Sequence, residues 1–305
     1  MDLKKLAGVY AASITPLKKD FSPDYEAIPG YLSFLADRGC HGALILGTTG
    51  EGPSFSVNER ERIYQAGILV RQDHPEFRLL AGTGTPSMEE TASLTKYTFD
   101  IGYDGVVVLP PYYFRRADVE GVFQWYANII SRAVPKGSAF FGYHIPQTSG
   151  VPLPIDLLKR MREGFPDNFA GIKDSSGDPE FIKQLEVEFG DELIHLNGND
   201  RLFSFALSVG ASGCITALAN IRSPDLRAVW DAHQKGKSDP DAQMRLDSGR
   251  EIIDKYPPAA PLIKSVVNRI FNFPRWSVRP PLLPITTKVE NEALTAFTEI
   301  DERLR

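Results

Sequence analysis

Short apolar runs alternate along the chain with longer stretches in which apolar residues recur every three or four positions. The short runs occupy residues 8–15, 42–47, 78–82, 105–109, 138–143, 169–173, 193–197 and 213–217. Several are unbroken, as in Ala43-Leu44-Ile45-Leu46 and Val106-Val107-Val108-Leu109, the pattern of a strand covered on both faces. Helical periodicity fills 25–38, 57–72, 88–101, 118–133, 154–163, 179–189, 201–209 and 223–235. Ser56 with Glu59, and Ser87 with Glu90, stand at the spacing of a capping box. Gly39 and Gly102 follow two of the helical stretches, where a left-handed residue closes a helix. Strict β-then-α alternation predicts an α/β fold with a parallel sheet and right-handed crossovers. Eight such units predict closure into a (β/α)₈ TIM barrel. From Asp239 onward the pattern is helical only, at 242–255, 259–271 and 288–305, with Pro280, Pro281 and Pro284 between the last two. The expected organisation is a barrel over 1–236 and a C-terminal helical extension over 237–305.

Composition changes this picture little. The chain has 305 residues, 42% hydrophobic and 24% charged, which is ordinary for a globular protein. A formal net charge of −5 leaves no basic footprint for nucleic acid, so an anionic substrate must be met by local donors. The two cysteines, Cys40 and Cys214, do not make a disulfide framework. The first ten residues lack the apolar run of a signal peptide, and no run of about 18 apolar residues predicts a membrane span. A cytoplasmic enzyme without membrane or nucleic-acid partners is expected. The five histidines fall in no metal-ligand spacing. No Gly-x-Ser-x-Gly elbow and no nucleotide fingerprint occurs, so neither a metal nor a cofactor is expected.

In a barrel, chemistry gathers at the C-terminal ends of the strands. Lys173 ends the run Phe169-Ala170-Gly171-Ile172. A lysine there is either paired, here with Asp174, or functional. Desolvation favours the neutral amine of a lysine, which can attack a carbonyl. Tyr143 ends the preceding strand, thirty residues earlier, about one βα unit away. It reads either as a packed aromatic or as a phenol that shuttles protons beside the amine. The loop Gly47-Thr48-Thr49-Gly50-Glu51 follows the second strand. Its glycines and hydroxyls suit an anion nest, although many loops share that composition. Tyr112-Tyr113 follows the fourth strand, and adjacent residues of an extended segment point opposite ways. Arg115 and Arg116 come next, either solvated or turned to substrate. His144 follows Tyr143 and reads as structural.

Taken in order, Thr15-Pro16, Gly47-Thr48-Thr49-Gly50-Glu51, Gly82-Thr83-Gly84, Pro111-Tyr112-Tyr113, Tyr143-His144-Ile145-Pro146 and Gly171-Ile172-Lys173-Asp174 make the chain resemble one family. That family is the dihydrodipicolinate synthase / N-acetylneuraminate lyase family of class I aldolases and dehydratases. The resemblance runs from about Gly8 to Ala219 and returns at Arg279-Pro280-Pro281-Leu282-Leu283-Pro284. It implies Lys173 as the Schiff-base lysine and Tyr143 as the proton shuttle. It implies Thr48 and Thr49 as the pair that holds the pyruvate carboxylate and relays protons. Tyr113 resembles a tyrosine inserted into a neighbouring subunit's site, and Gly198 and Ile215 match positions lining the pyruvate pocket. The family is usually a homotetramer built as a dimer of dimers.

One departure bears on substrate. True synthases of this family carry an arginine five residues after the shuttling tyrosine, and Thr148 stands there. Threonine cannot make a bidentate carboxylate clamp. The resemblance therefore implies a lyase that cleaves or dehydrates a 2-oxo-3-deoxy sugar acid or 4-hydroxy-2-oxoglutarate, with Thr148 helping to set specificity. Sialic acid lyases usually show Ser-Thr where Thr48-Thr49 stands, which weighs against that substrate. One alternative is a synthase condensing pyruvate with aspartate semialdehyde, with Arg115 or Arg116 in place of the clamp. Another is a non-catalytic barrel, against which the retained lysine, tyrosine and threonines argue.

Overall fold

The computed structural model describes residues 3–301. Its eight parallel strands are β1 (Gly8–Ala12), β2 (Gly42–Ile45), β3 (Arg78–Ala81), β4 (Gly105–Val108), β5 (Ala139–His144), β6 (Phe169–Asp174), β7 (Ile194–Asn197) and β8 (Gly213–Thr216). They close in chain order, β8 pairing with β1, into the expected barrel. Around and after them run α1 (Ala27–Asp37), α2 (Val57–Ile68), α3 (Met88–Asp100), α4 (Val119–Ala133), α5 (Pro146–Ser149), α6 (Ile155–Gly164), α7 (Pro179–Phe189), α8 (Phe203–Val209), α9 (Ala219–Gln234), α10 (Pro240–Lys255), α11 (Ala259–Phe271) and α12 (Thr287–Ile300). The last element had been expected to reach residue 305, and 302–305 lie outside the described residues. No helix of the described residues is long and apolar enough to cross a membrane.

Local chemistry accounts for the boundaries. Ser56 caps α2 in a reciprocal box with Glu59, while Ser87 caps α3 by accepting from the Glu90 amide without the return bond. Gly39 and Gly102 both adopt φ +95° after α1 and α3. Two differences from the sequence pattern have clear causes. The one-turn helix α5 is too short to leave a periodic signal, and Gly150 closes it at φ +69°. Helix α9 begins at Ala219, four residues ahead of the periodic stretch, and breaks at Arg222 (φ −117°, ψ 28°) just before Pro224, whose ring disfavours helical backbone in the residues that precede it.

Two apolar layers form. Tyr10, Leu44, Leu80, Val107, Phe141, Leu196 and Ile215 fill the barrel interior. Val9, Ala43, Ile45, Val106, Phe140 and Ile172 face the helices. One irregularity sets which layer the end of β6 enters. Phe140 pairs with Phe169, but Phe141 pairs with Gly171, so Ala170 is an extra residue on β6. Side chains alternate along a strand, so one inserted residue flips everything after it to the other face. Without the bulge, Ala170 inside would put Lys173 outside. With it, Ile172 turns outward, and Lys173 stands opposite Tyr143 and Leu196, both residues of the interior layer. Gly171 permits this, because a Cβ there would lie 1.9 Å from the Ile194 carbonyl oxygen.

Candidate active site

The bulge brings two buried side chains into register at the C-terminal mouth. Tyr143 and Lys173 are 5% and 3% exposed, and Nζ lies 4.1 Å from the phenol ring centroid. Among the described residues Lys173 makes no ion pair. Its neighbour Asp174 occupies the opposite face and accepts from the Ser176 amide at 2.9 Å, so the pairing reading of Lys173 fails. His144 also faces outward. Its Nδ1 accepts from the Leu153 amide at 2.9 Å, and its ring stacks on Phe181. A 790 Å³ cavity lined by His144, Gln147, Asp178 and Phe181 therefore lies outside the barrel wall, separated from Lys173 by the strands themselves.

Thr48 completes the group. Its hydroxyl is 3.3 Å from the Tyr143 hydroxyl, linking β2 to β5 across the mouth. Burial is the largest influence on the Tyr143 phenol and pushes its pKa up. The Lys173 charge and hydrogen bonds from Thr48, Lys173 and Ser175 outweigh burial, leaving the phenol below its ordinary value of 10.0. A phenol so placed gives up its proton more readily than free tyrosine.

The loop after β2 is strained. Leu46 and Glu51 both take left-handed backbone, at φ +60° and +57°. Such residues cost roughly 1–3 kcal/mol each and persist where their surroundings over-determine them. The loop is held by Thr15 Oγ1 donating to the Gly50 carbonyl at 2.7 Å and by the Glu51 amide donating to the Thr48 carbonyl at 3.1 Å. The Thr48 and Thr49 amides donate to no group among the described residues. Two successive unpaired backbone donors make an anion nest, and one away from bulk water calls for a partner. Thr48 is open to solvent, whereas Thr49 is buried.

The other predicted residues fall in three places. Ile215 lies in the interior layer with Tyr143. Gly198 donates its amide to the Asp174 carbonyl at 2.6 Å, and a Cβ there would meet Ser175 Oγ at 2.1 Å. Thr148 is exposed on α5, at the rim. Tyr113 does not enter the site of its own chain. It is 75% exposed and, with Phe114 at 69%, forms an aromatic pair projecting into solvent. Arg115 lies against the rim, its Cδ 2.6 Å from where a Gly150 Cβ would stand, two residues from Thr148.

Ser175 was missed in the sequence. Its side chain reaches both the Tyr143 phenol and the space beside Gly198. Its place two residues after a strand-ending lysine was the available signal, and a serine in a loop carries little weight alone.

Comparison with known proteins bears on the fold and the family. A DapA-like lyase of Chloroflexus aurantiacus is 37% identical over 300 residues, covering 97% of this chain and 96% of that protein. A 4-hydroxy-tetrahydrodipicolinate synthase of Corynebacterium urealyticum is 33% identical, covering 75% of this chain and 73% of its own length. The crystal structure of dihydrodipicolinate synthase from Agrobacterium tumefaciens superposes with a TM-score of 0.87 at 28% identity, covering 96% of this chain and 99% of that one. A sialic acid aldolase of Ruminococcus gnavus, at 22% identity and a TM-score of 0.89 over 100% of this chain and 99% of that one, shares the fold. The family model described as dihydrodipicolinate synthetase matches residues 5–300, and the chain belongs to this family of lyase-type enzymes.

Proposed function

We propose that this enzyme is a class I lyase that forms a Schiff base between Lys173 and a 2-oxo acid and cleaves a 2-oxo-3-deoxy sugar acid or 4-hydroxy-2-oxoglutarate. The observation that carries the reading is the buried Lys173–Tyr143 pair with Thr48 on its phenol. The unprotonated Lys173 amine adds to the C2 ketone, and loss of water leaves a protonated imine. The C3–C4 bonding pair then moves into that imine as Tyr143, relayed by Thr48, removes the C4 hydroxyl proton. An aldehyde leaves, the enamine takes a proton at C3, and water hydrolyses the imine to release pyruvate and the free lysine. The substrate carboxylate rests on the Thr48 and Thr49 amides, Gly198 and Ile215 line the pyruvate pocket, and Thr148 contacts the distal part. No cofactor enters any step.

Borohydride reduction in the presence of pyruvate, followed by peptide mass spectrometry, tests the reading. A reduced adduct is expected on Lys173 and absent from Lys173→Ala. Labelling of another lysine, or of none, refutes the mechanism.

A second reading, condensation of pyruvate with aspartate semialdehyde, draws on one observation: Arg115 packs beside the rim turn that carries Thr148. We place Tyr113 in a neighbouring subunit's site and the assembly as a homotetramer, on the exposed Tyr113–Phe114 pair.

A further inference from the structure

Glu51 lies at the end of the strained loop, its side chain fully buried. Its partners come from the C-terminal extension. Lys264 Nζ, on α11, donates to Glu51 Oε1 at 2.5 Å and to the Ser277 carbonyl at 2.7 Å. The Arg279 amide donates to Glu51 Oε2 at 2.9 Å. The Arg279 guanidinium continues the strap, reaching the Ser54 carbonyl at 2.7 Å and Glu59 at 2.8 Å, both immediately beyond the loop. Both oxygens of one buried carboxylate are thus held by segments more than 200 residues away, while the Glu51 amide holds the Thr48 carbonyl. Moving Glu51 moves the peptide units that present the Thr48 and Thr49 amides.

We propose that Glu51 and Lys264 are positioning residues, and that the C-terminal extension sets the geometry of the 2-oxo acid carboxylate cradle through them. The proposal rests on the functional reading above, in which that cradle holds substrate. A buried ion pair is a costly way to gain stability, since apolar side chains of similar size often serve as well or better. Its value here is direction: Glu51 has two hydrogen-bonded oxygens and one permitted position. Removing Lys264 leaves a buried carboxylate without its counter-charge, and the loop must rearrange to hydrate it.

The test measures borohydride trapping on Lys173 against pyruvate concentration in the full-length wild type, Lys264→Met, Glu51→Gln and the double variant, with thermal melts of each. In Lys264→Met the half-saturating pyruvate concentration is expected to rise by roughly tenfold to a hundredfold, the scale at which misplacement of a binding group is felt. Trapping at saturation should still label Lys173. The double variant, which keeps an acceptor for the Arg279 amide and removes both charges, should recover most of the loss. Folded variants with wild-type half-saturation, or melting points that fall while half-saturation stays constant, overturn the proposal and leave a structural pair. If Lys264→Met does not fold, the same comparison on Glu51→Gln and the double variant decides it. A wild type that traps no 2-oxo acid refutes the functional reading, and this proposal with it.

Discussion

Replacing Tyr143 with phenylalanine removes one oxygen and leaves the ring. The ring packs in the interior layer with Phe141 and Ile145, and Nζ of Lys173 sits 4.1 Å from its centroid. Phenylalanine keeps those contacts. What disappears is the 3.3 Å link to Thr48, the hydrogen bonds with Lys173 and Ser175, and the proton that the phenol exchanges. Each of these hydrogen bonds contributes a net of about 0.5–1.5 kcal/mol, together less than the roughly 5–15 kcal/mol stability of a domain, so Tyr143→Phe should fold. Losing a general acid–base group lowers turnover roughly 10²–10⁴-fold, which corresponds to about 2.7–5.4 kcal/mol on the barrier. Steady-state pyruvate release measures that loss, and borohydride trapping on the same preparation shows whether the imine still forms. Trapping should persist at a lower rate while turnover collapses. The phenol lies below its ordinary pKa of 10.0, so the rise of the wild-type pH–rate profile that follows its ionisation should have its midpoint below pH 10 and vanish in the variant. Near-normal turnover, or an unchanged pH profile, would refute the shuttle and leave Tyr143 as a packed aromatic.

Gly198→Ala should lower kcat/KM, because its Cβ would meet Ser175 Oγ at 2.1 Å and the Asp174 carbonyl oxygen at 2.9 Å; a folded variant with unchanged kcat/KM would show that this close approach does not shape the site. Thr148 cannot replace a charge-assisted clamp that contributes about 1.5–3 kcal/mol, so kcat/KM for pyruvate plus aspartate semialdehyde should fall well below that for cleavage of 4-hydroxy-2-oxoglutarate, and efficient condensation would reverse the assignment. Arg115→Ala should raise KM for substrates with a distal carboxylate and leave pyruvate trapping unchanged; equal effects on neutral sugar acids would count against a carboxylate contact. The Arg279 hydrogen bond holds Glu59 at about 2, against an ordinary 4.5, so this pair stabilises the fold above pH 4.5 and the contribution is lost as pH falls through about 2. The stability gap between wild type and Arg279→Ala, from denaturant melts, should accordingly narrow on acidification, and a constant gap would contradict the pairing.

The barrel was legible because each of its signals is local. Continuous apolar runs such as Val106–Val108, capped amphipathic stretches and their strict alternation each reflect burial within one element, and eight repeats leave few ways to close. The residue types of the site were legible too, since a lysine ending an apolar strand needs a reason to be there. Element ends were less so: α5 is one turn long, and the start of α9 is hidden by the break at Arg222.

Sequence alone determined the fold class, the strand that carries Lys173 and the neighbouring strand that carries Tyr143. It did not determine that their side chains face one another. Simple alternation from Ala170 would have turned Lys173 toward the helices, and only the bulge against Phe140–Phe141, with β7 pressed onto Gly171, reverses the phase. The same holds for Ser175 beside Gly198 and for Glu51 beneath Lys264, whose partners lie 213 residues apart in the chain. Periodicity reports which face of an element is buried, because burial acts residue by residue. Which buried groups meet depends on register, bulges and the docking of distant segments, and those are settled by packing the whole chain at once.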